Sequence, residues 1–331
     1  MVPPVLSIDD VSIEYNTREG PVRAVRGASL TMNRGEIVAL VGESGSGKTT
    51  LGLAILRILP RNADQTTGTI RYEHRNVGEM DRTELQRIRG DQISMIFQDP
   101  IAGLNPIITV GQQVEEVITS HRPVSKEQAR ERALDALNAM RLPDPVRIAK
   151  SYPGELSGGM CQRIMIAIAT ALDPQVLIAD EPTASLDVTV QAQILYELER
   201  LRDERGTAIL LITHDMGVVA QVAERVAIIY AGKMMEVDDV VPLFQQPRHP
   251  YTWAMLDTLP RLDRRRRSRL RQIPGGLPDL TDEEIGDHCA YLSRCPKALT
   301  KCRTDDEPDL AEVYGGRIGQ RVACYNPVLE V

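Results

Sequence analysis

The residues most able to do chemistry begin with Gly42-Glu43-Ser44-Gly45-Ser46-Gly47-Lys48-Thr49-Thr50. This is a G-x-x-x-x-G-K-[ST] run between an apolar strand-like stretch, Glu36 to Val41, and a helix-like one, Leu51 to Leu59. Glycines there let backbone N–H groups turn inward without a Cβ clash. Those groups and the positive end of the following helix suit a phosphate. Lys48 supplies a point charge for β/γ-phosphates, and Thr49 a hydroxyl for Mg²⁺. A second run, Val176-Leu177-Ile178-Ala179-Asp180-Glu181, is an apolar strand that ends in adjacent carboxylates. After a phosphate loop, Asp180 is expected to serve Mg²⁺, directly or through water. Glu181 is expected to polarise an attacking water. Leu156-Ser157-Gly158-Gly159-Met160 opens another helix, with Ser157 as N-cap and backbone N–H groups exposed by Gly158 and Gly159. Such a chain suggests head-to-tail pairing, in which each copy closes the other's nucleotide.

The elements that must position these residues follow from pattern. Leu6 to Tyr15 and Val22 to Met32 read as antiparallel strands, and Gly68 to Tyr72 and Ile93 to Phe97 as shorter ones. Thr109 to His121 and Ser125 to Met140 read as helices, the latter with a Ser125/Gln128 capping box. Leu142 to Pro153, with its prolines, reads as loop. Ser157 to Leu172 is expected to be helical and Gln175 to Ala179 a buried strand. Val190 to Arg205 has an apolar stripe and Gly206 as its stop. Ala208 to Ile212 and Val226 to Tyr230 are buried strands. Strands alternating with helices give an α/β class with a mainly parallel sheet. No internal repeat is visible.

With 331 residues the chain has room for about two domains. Two Phe and one Trp point to an aliphatic core. A net charge of −7 speaks against a nucleic-acid protein. The opening Met1-Val2-Pro3-Pro4 lacks signal-peptide character, and no apolar run approaches the ~20 residues needed to cross a bilayer. A cytosolic protein, held at a membrane only through partners, is the expectation.

Taken together, the motifs resemble the nucleotide-binding subunit of an ATP-binding cassette (ABC) transporter, and more narrowly the dipeptide/oligopeptide/nickel importer subfamily. The resemblance runs over residues 5 to 258. It implies a cassette with a mainly parallel core sheet, an antiparallel β subdomain and a helical signature subdomain at about residues 100–172. It implies that Gly42 to Thr49 is the Walker A loop and that Gln98, in Phe97-Gln98-Asp99-Pro100, senses Mg²⁺ and the γ-phosphate. Leu156 to Met160 matches the signature motif that reaches the partner's ATP. Asp180 and Glu181 match the Walker B aspartate and the catalytic glutamate. Ser185-Leu186-Asp187 matches the D-loop, His214 the switch histidine, and Tyr15 the aromatic that stacks on adenine. Met160 replaces the commoner signature glutamine, and Ser185 stands where alanine is frequent. Asp99 to Pro106, Asp187 to Gln193 and Arg248 to Thr252 resemble the subfamily's versions of those segments. Residues 1–258 are thus expected to form the cassette and 259–331 a small irregular Cys-rich extension.

The tail carries Cys289, Cys295, Cys302 and Cys324, separated by five, six and twenty-one residues. The spacing is neither the paired C-x-x-C of structural zinc nor that of a ferredoxin, and leaves a four-thiolate metal site without a named metal. The resemblance implies a [4Fe-4S] cluster, with zinc, or free or disulfide-linked cysteines, as alternatives and His288 as a further candidate ligand. Cys161 reads as a small packed side chain. Arg264 to Arg267 reads as a solvated linker, with anionic lipid as its alternative. The resemblance also implies a second ATPase subunit, a related paralogue by preference, together with two permeases and an extracytoplasmic peptide-binding protein. The expected place is the cytoplasmic face of the membrane. Nickel or another small solute as cargo, or a non-transport ABC ATPase, are the rival readings.

Overall fold

The computed structural model describes residues 3–184, 186–259, 272–281, 285, 288–313, 316–317 and 319–328. Ser185 and Arg264 to Arg267 lie outside the described residues. The chain divides into two compact units, one formed by Met1–Leu6, Thr31–Ile37 and Arg71–Ile212, the other by Ser7–Leu30, Val38–Ile70 and Thr213–Val331.

In the first unit, strand Val176–Asp180 runs parallel to Ile93–Ile96 on one side and to Ala208–Thr213 on the other. Register pairs Ile93 with Val176 and Val176 with Ala208. All three strands are buried along their length, which is why they read as unbroken apolar runs rather than alternating ones. Helices Val110–His121, Lys126–Ala139, Pro145–Ala149 and Gly158–Thr170 pack on one another. Ser125 accepts from the Gln128 N–H, and Gln128 returns a bond to the Ser125 N–H, so the capping box forms as its sequence predicts. The stretch Leu142 to Pro153 is not all loop. Asp144 accepts a bond from the Arg147 N–H and starts the short helix Pro145–Ala149. Proline suits the first helical position, where its missing N–H would have had no partner. Helix Val188–Arg205 ends at Gly206, whose φ of 67° gives a left-handed C-cap.

In the second unit, Leu6–Thr17 lies between Gly20–Met32 and Ala63–Tyr72. Strand Ile37–Val41 runs parallel to Arg225–Tyr230, and Lys233–Asp239 follows antiparallel. The C-terminal segment joins this sheet: Arg321–Val322 pairs with Glu236 and Val237, and Ala311–Glu312 pairs with Arg321–Val322. The backbone of this segment thus adds two short strands to the sheet.

The core is not purely aliphatic. Tyr230, Tyr251 and Tyr291 are fully buried against one another, with ring centroids 4.7, 5.3 and 5.3 Å apart. Low Phe and Trp content concealed this, since tyrosine supplies the same ring area once its hydroxyl finds a partner. Tyr230 accepts from Arg294, and Tyr251 accepts from the Glu43 N–H.

Glu236 ties strand to helix in this unit. Its buried carboxylate accepts the N–H groups of Arg248 and His249 at 2.7 and 2.8 Å, at the start of helix Pro250–Asp257. Burial dominates these bonds and pushes its pKa up to about 7 from an ordinary 4.5. An acid with a raised folded-state pKa holds an extra proton in the folded state between those values. Its contribution to stability therefore falls as pH rises from 4.5 to 7 and is flat above. Glu236→Gln keeps an acceptor and loses the titration. We expect wild-type stability to decline relative to Glu236→Gln between pH 5 and pH 8, by at most about 3 kcal/mol. Parallel pH dependences in urea denaturation of the two proteins would contradict this.

Candidate functional site

The phosphate-loop candidates lie in the second unit. The buried strand Ile37–Val41 delivers the chain to Gly42, and helix Lys48–Ile55 begins after Gly47. Gly47 has φ 97°, and a Cβ there would fall well inside 3.0 Å of the Ala24 carbonyl oxygen. Glycine is the residue that admits both features. The Lys48 ammonium donates to the carbonyls of Gly42 and Glu43, each at 2.9 Å, which folds the side chain back over its own loop. Ser46 is buried, and its carbonyl accepts from the Gly232 N–H at 3.1 Å. Ser44 and Gly45 are exposed, Thr49 is half-buried, and Thr50 is buried. Tyr15, half-buried on its strand, places its hydroxyl 3.1 Å from that of Thr50. The structure thus brings Tyr15 to the loop. His214 follows strand Ala208–Thr213 and is exposed, ahead of a helix that Asp215 caps through the Gly217 and Val218 N–H groups.

The first unit carries the other candidates. Asp180 ends the buried strand Val176–Asp180 and is itself buried. Glu181 follows with φ 49°, a left-handed backbone uncommon for a non-glycine residue. Its N–H donates to Ile212 and its carbonyl accepts from Ala184. Gln98 is exposed just beyond strand Ile93–Ile96. Past it, Asp99 accepts the N–H groups of Ile101 and Ala102, which turns the chain. Ser157 caps helix Gly158–Thr170 by accepting the Met160 N–H. Gly158 is exposed, and Gly159 comes within 3.6 Å of the Leu186 side chain at its Cβ position. Asp187 caps helix Val188–Arg205 through Thr189 and Val190.

Sequence reasoning passed over several contributors. Gln162 is buried, and its amide donates to the Pro182 carbonyl at 2.8 Å, which ties the Ser157 helix to the turn holding Glu181. Its spacing from Ser157 gave no signal, since a glutamine inside an apolar helix reads as an interruption. Arg294 and Tyr251 meet Glu43 from far along the chain, where no local pattern reveals them.

The tail thiols of Cys289, Cys295, Cys302 and Cys324 line one small, mainly apolar cavity with His249 and Tyr291. Burial pushes the Cys289 thiol up to about 12 and Cys324 to about 11, and raises Cys295. Burial alone thus keeps these groups protonated, whereas ligation deprotonates a thiol outright. Among the described residues no three His, Cys, Asp or Glu side chains are grouped to hold a metal ion. A single zinc ion requires such grouping, with each sulfur about 2.3 Å from one point. The zinc alternative therefore finds no ready site here. The same observation gives the [4Fe-4S] reading no grouped ligand set among the described residues either. His288 stays off the cavity, its Nδ1 3.3 Å from the Asp305 carbonyl.

A parallel α/β core, a glycine-rich phosphate loop and a strand ending in paired acids are the features of a P-loop nucleoside triphosphatase. A family model described as "ABC transporter" matches residues 25–184, and one described as "Oligopeptide/dipeptide transporter, C-terminal region" matches residues 235–302. The probable peptide ABC transporter ATP-binding protein y4tR of Sinorhizobium fredii is 43% identical over 97% of this chain and 94% of its own. The dipeptide transport ATP-binding protein DppD of Bacillus subtilis is 44% identical over 90% of this chain and 88% of its own. Among solved structures, the ABC cassette MJ0796, a dimer in a post-hydrolysis state with ADP and Pi, superposes with a TM-score of 0.65. It is 31% identical and covers 71% of this chain and 98% of its own. The chain belongs to the family of peptide-type ABC transporter ATP-binding proteins.

Proposed function

We propose that this protein binds and hydrolyses ATP to drive import of dipeptides or oligopeptides through an ABC membrane complex. The observation that carries the reading is the match of cassette and peptide-transporter C-terminal region in one chain, spanned nearly end to end by peptide-transport relatives. Residues 1–258 act as the cassette and 259–331 as its C-terminal extension. Among the described residues no helix is long and apolar enough to cross a membrane. In this reading the protein attaches to the cytoplasmic face through permease subunits, as the transport role of its relatives supports, with an extracytoplasmic binding protein delivering cargo and no nucleic acid involved.

In this reading Ser44 to Thr50 hold the phosphates and Lys48 swings from its own carbonyls to the γ-phosphate. Tyr15 stacks on the base. Thr49, Gln98 and Asp180 are the residues to hold Mg²⁺, which when bound neutralises phosphate charge. Glu181 orients and deprotonates water, and His214 holds the transferred group. Ser157, Gly158, Gly159 and Asp187 face the nucleotide of a second ATPase subunit, as the dimeric state of the MJ0796 relative supports. Phosphoryl transfer needs positioning and charge more than covalent help, so dimer closure can gate it.

Cys289, Cys295, Cys302 and Cys324 are the residues to hold a [4Fe-4S] cluster, supported by their shared cavity. When bound, such a group staples the tail and supplies one-electron redox capacity.

The test is ATPase activity of the complex purified with its permeases and reconstituted in liposomes. Stimulation severalfold by a peptide-loaded binding protein is expected. Stimulation by nickel in place of peptide, or purification without any membrane subunit, would overturn the cargo or the transport reading respectively.

A further inference from the structure

The phosphate loop is gripped from outside by the cysteine-bearing segment. Arg294 lies between Cys289 and Cys295, and its Nη1 stands 3.0 Å from both carboxylate oxygens of Glu43, the second residue of the loop. The guanidinium is buried, its side chain 5% exposed against 32% for Glu43. It is fixed from the other side, with Nε donating to the Pro274 carbonyl at 2.8 Å and Nη1 to the Tyr230 hydroxyl at 3.2 Å. Its charge also sits 5.6 Å from the Tyr230 ring centre. The backbone of Glu43 is held as well. Its N–H donates to Tyr251 at 3.2 Å, and its carbonyl accepts from Lys48. Leu277, from the same tail, lies 3.6 Å from where a Gly45 Cβ would stand. The tail therefore meets the loop at Glu43 and beside Gly45, on either side of Ser44.

We propose that Arg294 is a positioning residue of the nucleotide site: by holding Glu43 it sets the loop in the conformation that receives phosphate. This rests on the reading of Gly42 to Thr50 as an ATP phosphate loop. A loop cradles phosphate only when its N–H groups converge, and ordering it before binding spares that cost on binding. A short loop pinned at its second residue retains far fewer conformations than one pinned only at its helix. A planar guanidinium serves better than an ammonium here, because it grips a carboxylate and two further acceptors at once. The extension is thereby part of the ATP site, although no residue of it belongs to a nucleotide motif.

The sign of one substitution separates positioning from simple charge. Glu43→Arg adds positive charge beside the phosphates, so charge alone predicts tighter ATP binding. It also sets like charge against Arg294 and breaks the grip, so positioning predicts weaker binding. With the full-length protein and a fluorescent ATP analogue, we expect Glu43→Arg and Arg294→Gln each to raise Kd at least tenfold. In the double variant the like-charge clash is gone, and its Kd is no higher than that of Arg294→Gln alone. In the reconstituted complex, KM for ATP rises while kcat at saturating ATP stays within about threefold, a split that global damage would not produce. Unchanged or tighter binding in Glu43→Arg overturns the proposal, as do penalties that simply add in the double variant. Glu43 is partly exposed, so its variant carries the test even if Arg294→Gln does not fold. A wild-type protein that binds no ATP would instead sink the ATPase reading itself.

Discussion

Glu181→Gln is expected to cut ATP turnover by at least about a hundredfold while ATP affinity stays within about threefold. The prediction rests on how the residue is held. Strand Val176–Asp180 is wholly buried, so the position where Glu181 emerges is fixed by sheet register. The backbone then turns left-handed at φ 49°, a state that costs an L-residue on the order of 1–3 kcal/mol. Surrounding bonds maintain it. The Glu181 N–H is taken by Ile212, its carbonyl by Ala184, and the next peptide carbonyl by the buried Gln162 amide. Glutamine matches glutamate in shape, so none of these bonds is disturbed. Only the ability to accept a proton and to orient water by charge is lost. ATP affinity is expected to survive because the residues proposed to hold phosphate, Ser44 to Thr50, belong to a different unit of the fold. Single-turnover phosphate release beside equilibrium nucleotide binding checks both halves. Wild-type release rates in the variant would remove Glu181 from the catalytic role.

Gln162→Leu is the informative neighbour, because it removes support for that turn without touching the acid. The contrast shows what a linear reading can and cannot see. The cap at Ser157, the strand that ends at Asp180 and the glycine loop before helix Lys48–Ile55 were all visible in the sequence because each is a local pattern. A glycine run must precede a helix, and an acid must end an apolar strand. The central strands were visible for the same reason, since a strand buried on both faces leaves a continuous apolar run. Gln162 and Arg294 were not visible. Each acts through one bond, to Pro182 and to Glu43, and in the second case across 251 residues of chain. The tyrosine core was hidden similarly, because Tyr230, Tyr251 and Tyr291 are dispersed in sequence and meet only in the folded unit. The helix Pro145–Ala149 was missed for a local reason. Its prolines signal a break, although one of them occupies the first helical position, where proline helps.

Gly47→Ala is expected to be severely damaging for a single added methyl. Two penalties coincide at this position. The φ of 97° lies outside what L-residues comfortably adopt, and the new Cβ would fall well inside 3.0 Å of the Ala24 carbonyl oxygen. That oxygen belongs to backbone in strand Gly20–Met32, so no side-chain rotation relieves the clash. The loop must move, or the strand must. Loop movement carries away the first turn of helix Lys48–Ile55, and with it Lys48 and Thr49. A hundredfold or greater loss of ATP affinity should follow, with thermal stability lowered by several degrees. Gly206→Ala provides the control. That glycine is also left-handed, at φ 67°, but nothing lies within 4 Å of its Cβ position. It should show only the backbone cost of about 1 kcal/mol and unaltered ATP binding. The difference between the two alanines, read by nucleotide titration and thermal melting, isolates the collision with Ala24 from the strain of the turn. Equal effects in both would mean that the loop accommodates a Cβ, and that its close seat against strand Gly20–Met32 is not what orders it for phosphate.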